Sequence, residues 1–74
     1  MNNSEFNLHK ERLGERIKML REEKGYKVRE FALLADIEHH QLINIEKGRV
    51  DMRFSTLYKI ASAFDLSVSE LINC

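Results

Sequence analysis

The chain has 74 residues, twelve Lys and Arg against twelve Asp and Glu, and a formal net charge of zero, with 43% hydrophobic and 32% charged residues. A domain of this size buries only about 60% of its unfolded surface; that leaves no room for a walled catalytic cleft beside a core, and the neutral balance excludes a purely electrostatic coat on nucleic acid. The single cysteine, Cys74, excludes an internal disulfide or a cysteine-based zinc cluster; no apolar run approaches the roughly 20 residues of a membrane span, the polar start is no signal peptide, and the whole reads as one cytoplasmic domain.

With no proline and three glycines, the chain favours helices joined by short links over a strand-rich fold. Residues 1–7 are read as an N-terminal extension to a domain over 8–74. Leu13, Ile17 and Leu20 recur at helical spacing, with Leu8 about a turn earlier. Lys24 and Gly25 then supply a cation and a left-handed cap, so the first helix is expected over 8–24. Val28, Phe31, Ala32 and Ala35 share one face of a short second helix. Asp36 tolerates the left-handed backbone needed at the break that follows. Leu42 and Ile45 point a third helix inward over 38–47, with Gly48 as its cap. The segment RVDMR is a loop. Phe54, Leu57, Ile60, Ala61 and Phe64 form an apolar stripe on a fourth helix. Ser67 and Glu70 make a capping box that opens a short fifth helix containing Leu71 and Ile72. The expected architecture is all-α, a compact domain of five helices.

The second and third helices are the informative pair. A tight turn between two short helices allows steep packing if a small residue sits at the crossing, and Ala32 is placed for that. The outer side of the third helix presents His39, His40, Gln41, Ile43, Asn44 and Lys47. Hydrogen-bonding side chains with few negative charges are the types that read base edges in a major groove. A solvated polar face would show the same periodicity, so spacing alone leaves both readings open.

Five segments in order, LGERIKMLREEKGY, EFALLADI, LINIEKG, STLYKIASAF and LSVSELI, resemble the Xre/Cro-repressor type of helix-turn-helix family, the lambda-repressor-like domains. The resemblance runs from Leu13 to Ile72 without insertion or deletion. It implies a bacterial or phage DNA-binding domain, expected in the cytoplasm and on the nucleoid when bound; with no nucleophile–base pairing, glycine-rich phosphate loop or spaced carboxylate pair in the sequence, no enzymatic activity, cofactor or small-molecule effector is expected. Carried over, it places base reading on His39, His40 and Asn44, with Gln41 and Lys47 nearby. Ile43 can meet a thymine methyl group or pack against the next loop. Backbone phosphate contacts fall to Arg29, Lys47, Arg49 and Arg53; Arg53 either reaches a minor groove or is a solvated loop residue. Arg21 and Glu46 are implied as a structural ion pair between the first helix and the end of the third.

Several positions depart from that family's pattern. Val28 stands where a polar residue, usually glutamine, opens the second helix. Asp36 replaces the usual turn glycine, and Glu38 replaces a small hydroxyl cap; it is expected to cap poorly and to face phosphates. The loop before the fourth helix has no proline. Modest affinity per protomer is therefore expected, which points to a homodimer on an inverted repeat. Val68, Ile72 and Cys74 are the candidate interface, with Phe6 and Leu8 able to cover part of it; the same residues could instead complete the monomer core. A metal site is not expected, because the adjacent His39 and His40 diverge by about 100° on a helix. The other function class is a protein-binding module, such as an antitoxin-like partner, that has lost DNA reading.

Overall fold

The structure is a computed structural model that describes residues 3–73, with side chains described from residue 8 onward. Five helices follow in chain order: α1 (Asn3–Glu23), α2 (Val28–Ala35), α3 (His39–Glu46), α4 (Phe54–Ala63) and α5 (Val68–Ile72). No strand occurs among the described residues, so the domain is all-α as the spacing predicted. The first helix begins at Asn3, five residues before the expected start at 8. Apolar periodicity marks only the stretch that packs inward, whereas the helix continues before it through residues 3–7, mostly of polar type. Phe6 and Cys74 bear on the candidate interface, but the Phe6 side chain and Cys74 lie outside the described residues.

Four helices end in one motif, which is why the links between them are so short. After α1, Gly25 N–H donates to Glu22 O and Tyr26 N–H to Arg21 O; the same crossed pair recurs after α2, α3 and α4. Each motif requires one residue with positive φ, and the chain supplies Gly25, Asp36, Gly48 and Asp65. Asp36, the one non-glycine predicted for this task, has φ 56° and ψ 48°. Asp65 plays the same part after α4, unpredicted because no break in periodicity marks it. The apolar residues that follow, Tyr26, Ile37 and Leu66, pack against the core.

Ile17, Phe31, Leu42, Ile45, Ile60 and Leu71 are fully buried, each contributing about 1.5–3 kcal/mol by leaving water. Phe31 of α2 stacks on Phe64 at 4.3 Å between ring centroids, joining α2 to the end of α4. Ala32 of α2 is buried and lines a groove shared with Gln41 of α3 and Thr56 of α4. Phe54 corrects the stripe expected on α4: it is 69% exposed, while Thr56 is buried in its place at 8%. At about 100° per residue, Phe54 lies roughly 90° from the centre of the stripe set by Leu57, Ile60 and Phe64. Thr56 lies toward the opposite edge, on the side that faces Ala32 and Leu33 of α2.

Two features of α1 set where α3 and α5 sit. A Cβ on Gly14 would collide with the carbonyl oxygens of Ile45 and Glu46, at 2.8 Å from the latter, so only glycine lets the two helices approach this closely. Arg16, two residues on and roughly on the opposite side of α1, donates from Nε to Leu71 O at 2.7 Å and from Nη2 to Glu70 O at 3.0 Å. It thereby closes the carbonyl end of α5, which is too short to satisfy its own acceptors.

Candidate nucleic-acid interface

Leu42 and Ile45 fix the inner side of α3, and the helical turn then decides what its outer side presents. At about 100° per residue, His40, Ile43, Asn44 and Lys47 form the strip opposite the buried pair. His40 and Lys47 are exposed, whereas Ile43 and Asn44 are half-buried. His39 lies on the flank shared with Glu46 and is half-buried; its ring meets that of His40 edge-on at 5.2 Å between centroids. Gln41 lies on the other flank, in an open groove of about 590 Å³ that Arg53, Ser55 and Lys59 also line. The six residues singled out in the sequence thus divide into a central strip and two flanks.

The start of α3 differs from what its residue type suggested. Glu38 is the N-cap, in extended conformation, and its Oε2 accepts the Gln41 N–H at 3.2 Å. Its Oε1 lies 3.5 Å from His40 Nδ1. The cap is therefore made, though by a longer arm than serine would use. Loss of some hydration raises the Glu38 carboxyl pKa, but hydrogen bonds from Gln41 and His40 outweigh this and hold it below the usual carboxylate range.

The far end of α3 is tied to α1. Arg21 donates from Nε to Glu46 Oε2 at 2.7 Å and from Nη2 to Oε1 at 3.0 Å, a two-pronged pair whose side chains are only 8% and 7% exposed. Its Nη1 donates to Tyr26 O at 2.7 Å, so the same guanidinium also holds the link between α1 and α2. The hydrogen bond from Glu46 raises the Arg21 pKa above its ordinary value, against the opposing effect of burial.

The four cations singled out in the sequence are exposed: Arg29 in the first turn of α2, Lys47 at the C-cap of α3, Arg49 in the following loop and Arg53 at the N-cap of α4. Among the described residues none of the four is drawn into an ion pair, unlike Lys10 with Asp51 at 3.6 Å or Lys59 with Asp36 at 3.5 Å. No side chain caps the α4 N-terminus. Val28 opens α2 half-buried against the core, which accounts for an apolar residue there. Among the described residues no cluster of His, Cys, Asp and Glu is placed to hold a metal ion, and no helix is long and apolar enough to cross a membrane.

Beyond the strip, the sequence reading missed Gly14 and Arg16, whose partners lie 31 and more residues away and leave no local signal. Val68 is half-buried and Ile72 is 48% exposed on α5, so the candidate interface is partly open to solvent.

Comparison with known proteins places this arrangement. A family described as a helix-turn-helix domain matches residues 14–73. The chain is 36% identical over 62 residues to the HTH-type transcriptional regulator SinR of Bacillus licheniformis, covering 82% of this chain and 56% of that protein. It is 33% identical over 61 residues to the HTH-type transcriptional regulator DdrOP3 of Deinococcus deserti, covering 82% of this chain and 47% of that one. The chain spans about half the length of these curated relatives. Among solved structures, the restriction–modification controller protein C.AhdI of Aeromonas hydrophila superposes with a TM-score of 0.79 at 26% identity, over 82% of this chain and 92% of that chain. With a match that runs from the glycine seating α1 on α3 to the residue after α5, the chain belongs to the helix-turn-helix family, in its Xre/Cro-repressor, lambda-repressor-like branch.

Proposed function

We propose that the chain is a sequence-specific, double-stranded DNA-binding transcriptional regulator that engages an inverted repeat as a homodimer. The observation that carries this is the outer strip of α3, where His40, Ile43, Asn44 and Lys47 lie opposite the buried Leu42 and Ile45, while Arg29, Lys47, Arg49 and Arg53 are exposed and, among the described residues, outside any ion pair. His39, His40, Gln41 and Asn44 read base edges in the major groove. Arg29, Lys47, Arg49 and Arg53 contact phosphates, with the uncapped start of α4 able to add backbone N–H groups. Arg21 and Glu46 hold the reading helix in place without touching DNA. Val68, Ile72 and Cys74 form the dimer contact, which sets two reading helices about 34–36 Å apart, one turn of DNA. The protein works in the bacterial cytoplasm, on the nucleoid when bound, without cofactor or effector. Similarity to the controller protein of Aeromonas hydrophila over most of that chain's length supports a controller-type role; a phage-type repressor is the related alternative.

A second reading, a protein-binding module such as an antitoxin-like partner, is favoured by the solvent-facing Leu33, Leu34, Phe54 and Tyr58. Selection from random duplexes decides between them. Enrichment of a palindrome with two half-sites one turn apart is expected. A folded protein that enriches no sequence overturns DNA reading in favour of the second.

A further inference from the structure

Among the side chains at the start of α3, Glu38 is the one that can only accept hydrogen bonds. His39 and His40 can donate, Gln41 and Asn44 both donate and accept, and Lys47 donates only. The Glu38 carboxylate offers about four acceptor positions. One is taken by the Gln41 N–H at 3.2 Å, and His40 Nδ1 stands 3.5 Å from the other oxygen. The side chain remains 67% exposed, fixed from two sides at the leading end of the reading helix, with acceptor positions still open. In the major groove, guanine O6 and N7, adenine N7 and thymine O4 are acceptors that repel a carboxylate. The cytosine N4 amino group is a donor with no acceptor beside it on its own base.

We infer that Glu38 is a base-reading residue that selects cytosine at one position of each half-site. The inference rests on the DNA-reading function proposed above. It gives the carboxylate a dual effect: its charge opposes phosphates on every duplex, and the opposition is offset only where a cytosine amino group meets it. A residue that weakens binding to random DNA thereby sharpens the preference for the operator.

Selection from random duplexes with the full chain, Glu38→Ser and Glu38→Gln tests this. Serine is a good N-cap but carries no carboxylate, so Glu38→Ser keeps α3 capped and removes the acceptor-only group. The parent should enrich cytosine at one position per half-site. Glu38→Ser should lose that preference by about 5- to 150-fold, leave the other positions unchanged and bind random duplexes more tightly. Glu38→Gln should move the preference toward adenine, whose N6 and N7 suit an amide. If Glu38 only caps the helix, all three proteins enrich the same base at every position, and the inference is overturned while DNA reading stands. A parent that enriches no sequence overturns both.

Discussion

Asn44 is half-buried on the outer strip of α3, so its amide is restrained before any base arrives. Its carbonyl and NH2 match adenine N6 and N7. Asn44→Ala should therefore reduce discrimination at one base pair by about 1–3 kcal/mol. Competition between operators differing at single positions measures this, and an equal loss on operator and random DNA would exclude the role. Arg21 and Glu46 bear on α3 in a different way. The pair is almost fully out of solvent, so Glu46→Gln leaves a buried guanidinium uncompensated and should destabilise the fold by about 3–5 kcal/mol. The hydrogen bond from Glu46 raises the Arg21 pKa, so the guanidinium is charged at neutral pH, where the cost of removing its partner is read. Urea denaturation at neutral pH reads the effect. An apolar Arg21→Met, Glu46→Leu double variant should recover much of it, since neither charge is then buried.

The short helices are governed by their ends. In α5, Ser67 N–H donates to Glu70 Oε1 at 2.9 Å and Glu70 N–H donates to Ser67 Oγ at 3.1 Å. The backbone hydrogen bond from Ser67, with the contribution of its side chain, lowers the Glu70 pKa from the usual 4.5. A carboxyl group that ionises more readily in the folded state adds stability above its unfolded pKa, and this is lost as pH falls through the folded value. Glu70→Gln should thus be less stable than the parent near neutrality, with the gap closing below about pH 4.5. Urea midpoints across that range check the sign; a constant gap would remove the charge from the account. This capping box was legible in the sequence because all its parts lie within four residues. The ends at Gly25, Asp36 and Gly48 were legible for the same reason. Phe54 was misplaced because a residue about 90° off the stripe still satisfies the i, i+3 spacing. Gly14 and Arg16 carried no signal, since what they do depends on the carbonyl oxygens of α3 and α5, brought near only by folding. That α3 has a polar outer side was legible, yet the separation of His39 and Gln41 onto opposite flanks needed the position of the core.

At the scale of the molecule, zero net charge removes the long-range attraction on which nonspecific DNA binding depends. On the proposed reading, the candidate cations Arg29, Lys47, Arg49 and Arg53 are partly offset by Glu38, so strong binding would call for two protomers acting together. That puts the demand on α5, the shortest helix and the one whose end Arg16 secures. Ile72 is 48% exposed there, whereas its neighbour Leu71 is wholly buried in the core. A charge at position 72 can therefore remain in water in the monomer but would be desolvated in a dimer. Ile72→Asp should keep the parent's helical content and cooperative unfolding, yet sediment as a monomer where the parent sediments as a dimer. On DNA it should lose most of its affinity for the full inverted repeat while binding an isolated half-site as the parent protomer does. Sedimentation equilibrium and titrations against full and half operators give both readings. An Ile72→Asp protein that still sediments as a dimer and binds the repeat like the parent would move the interface away from α5.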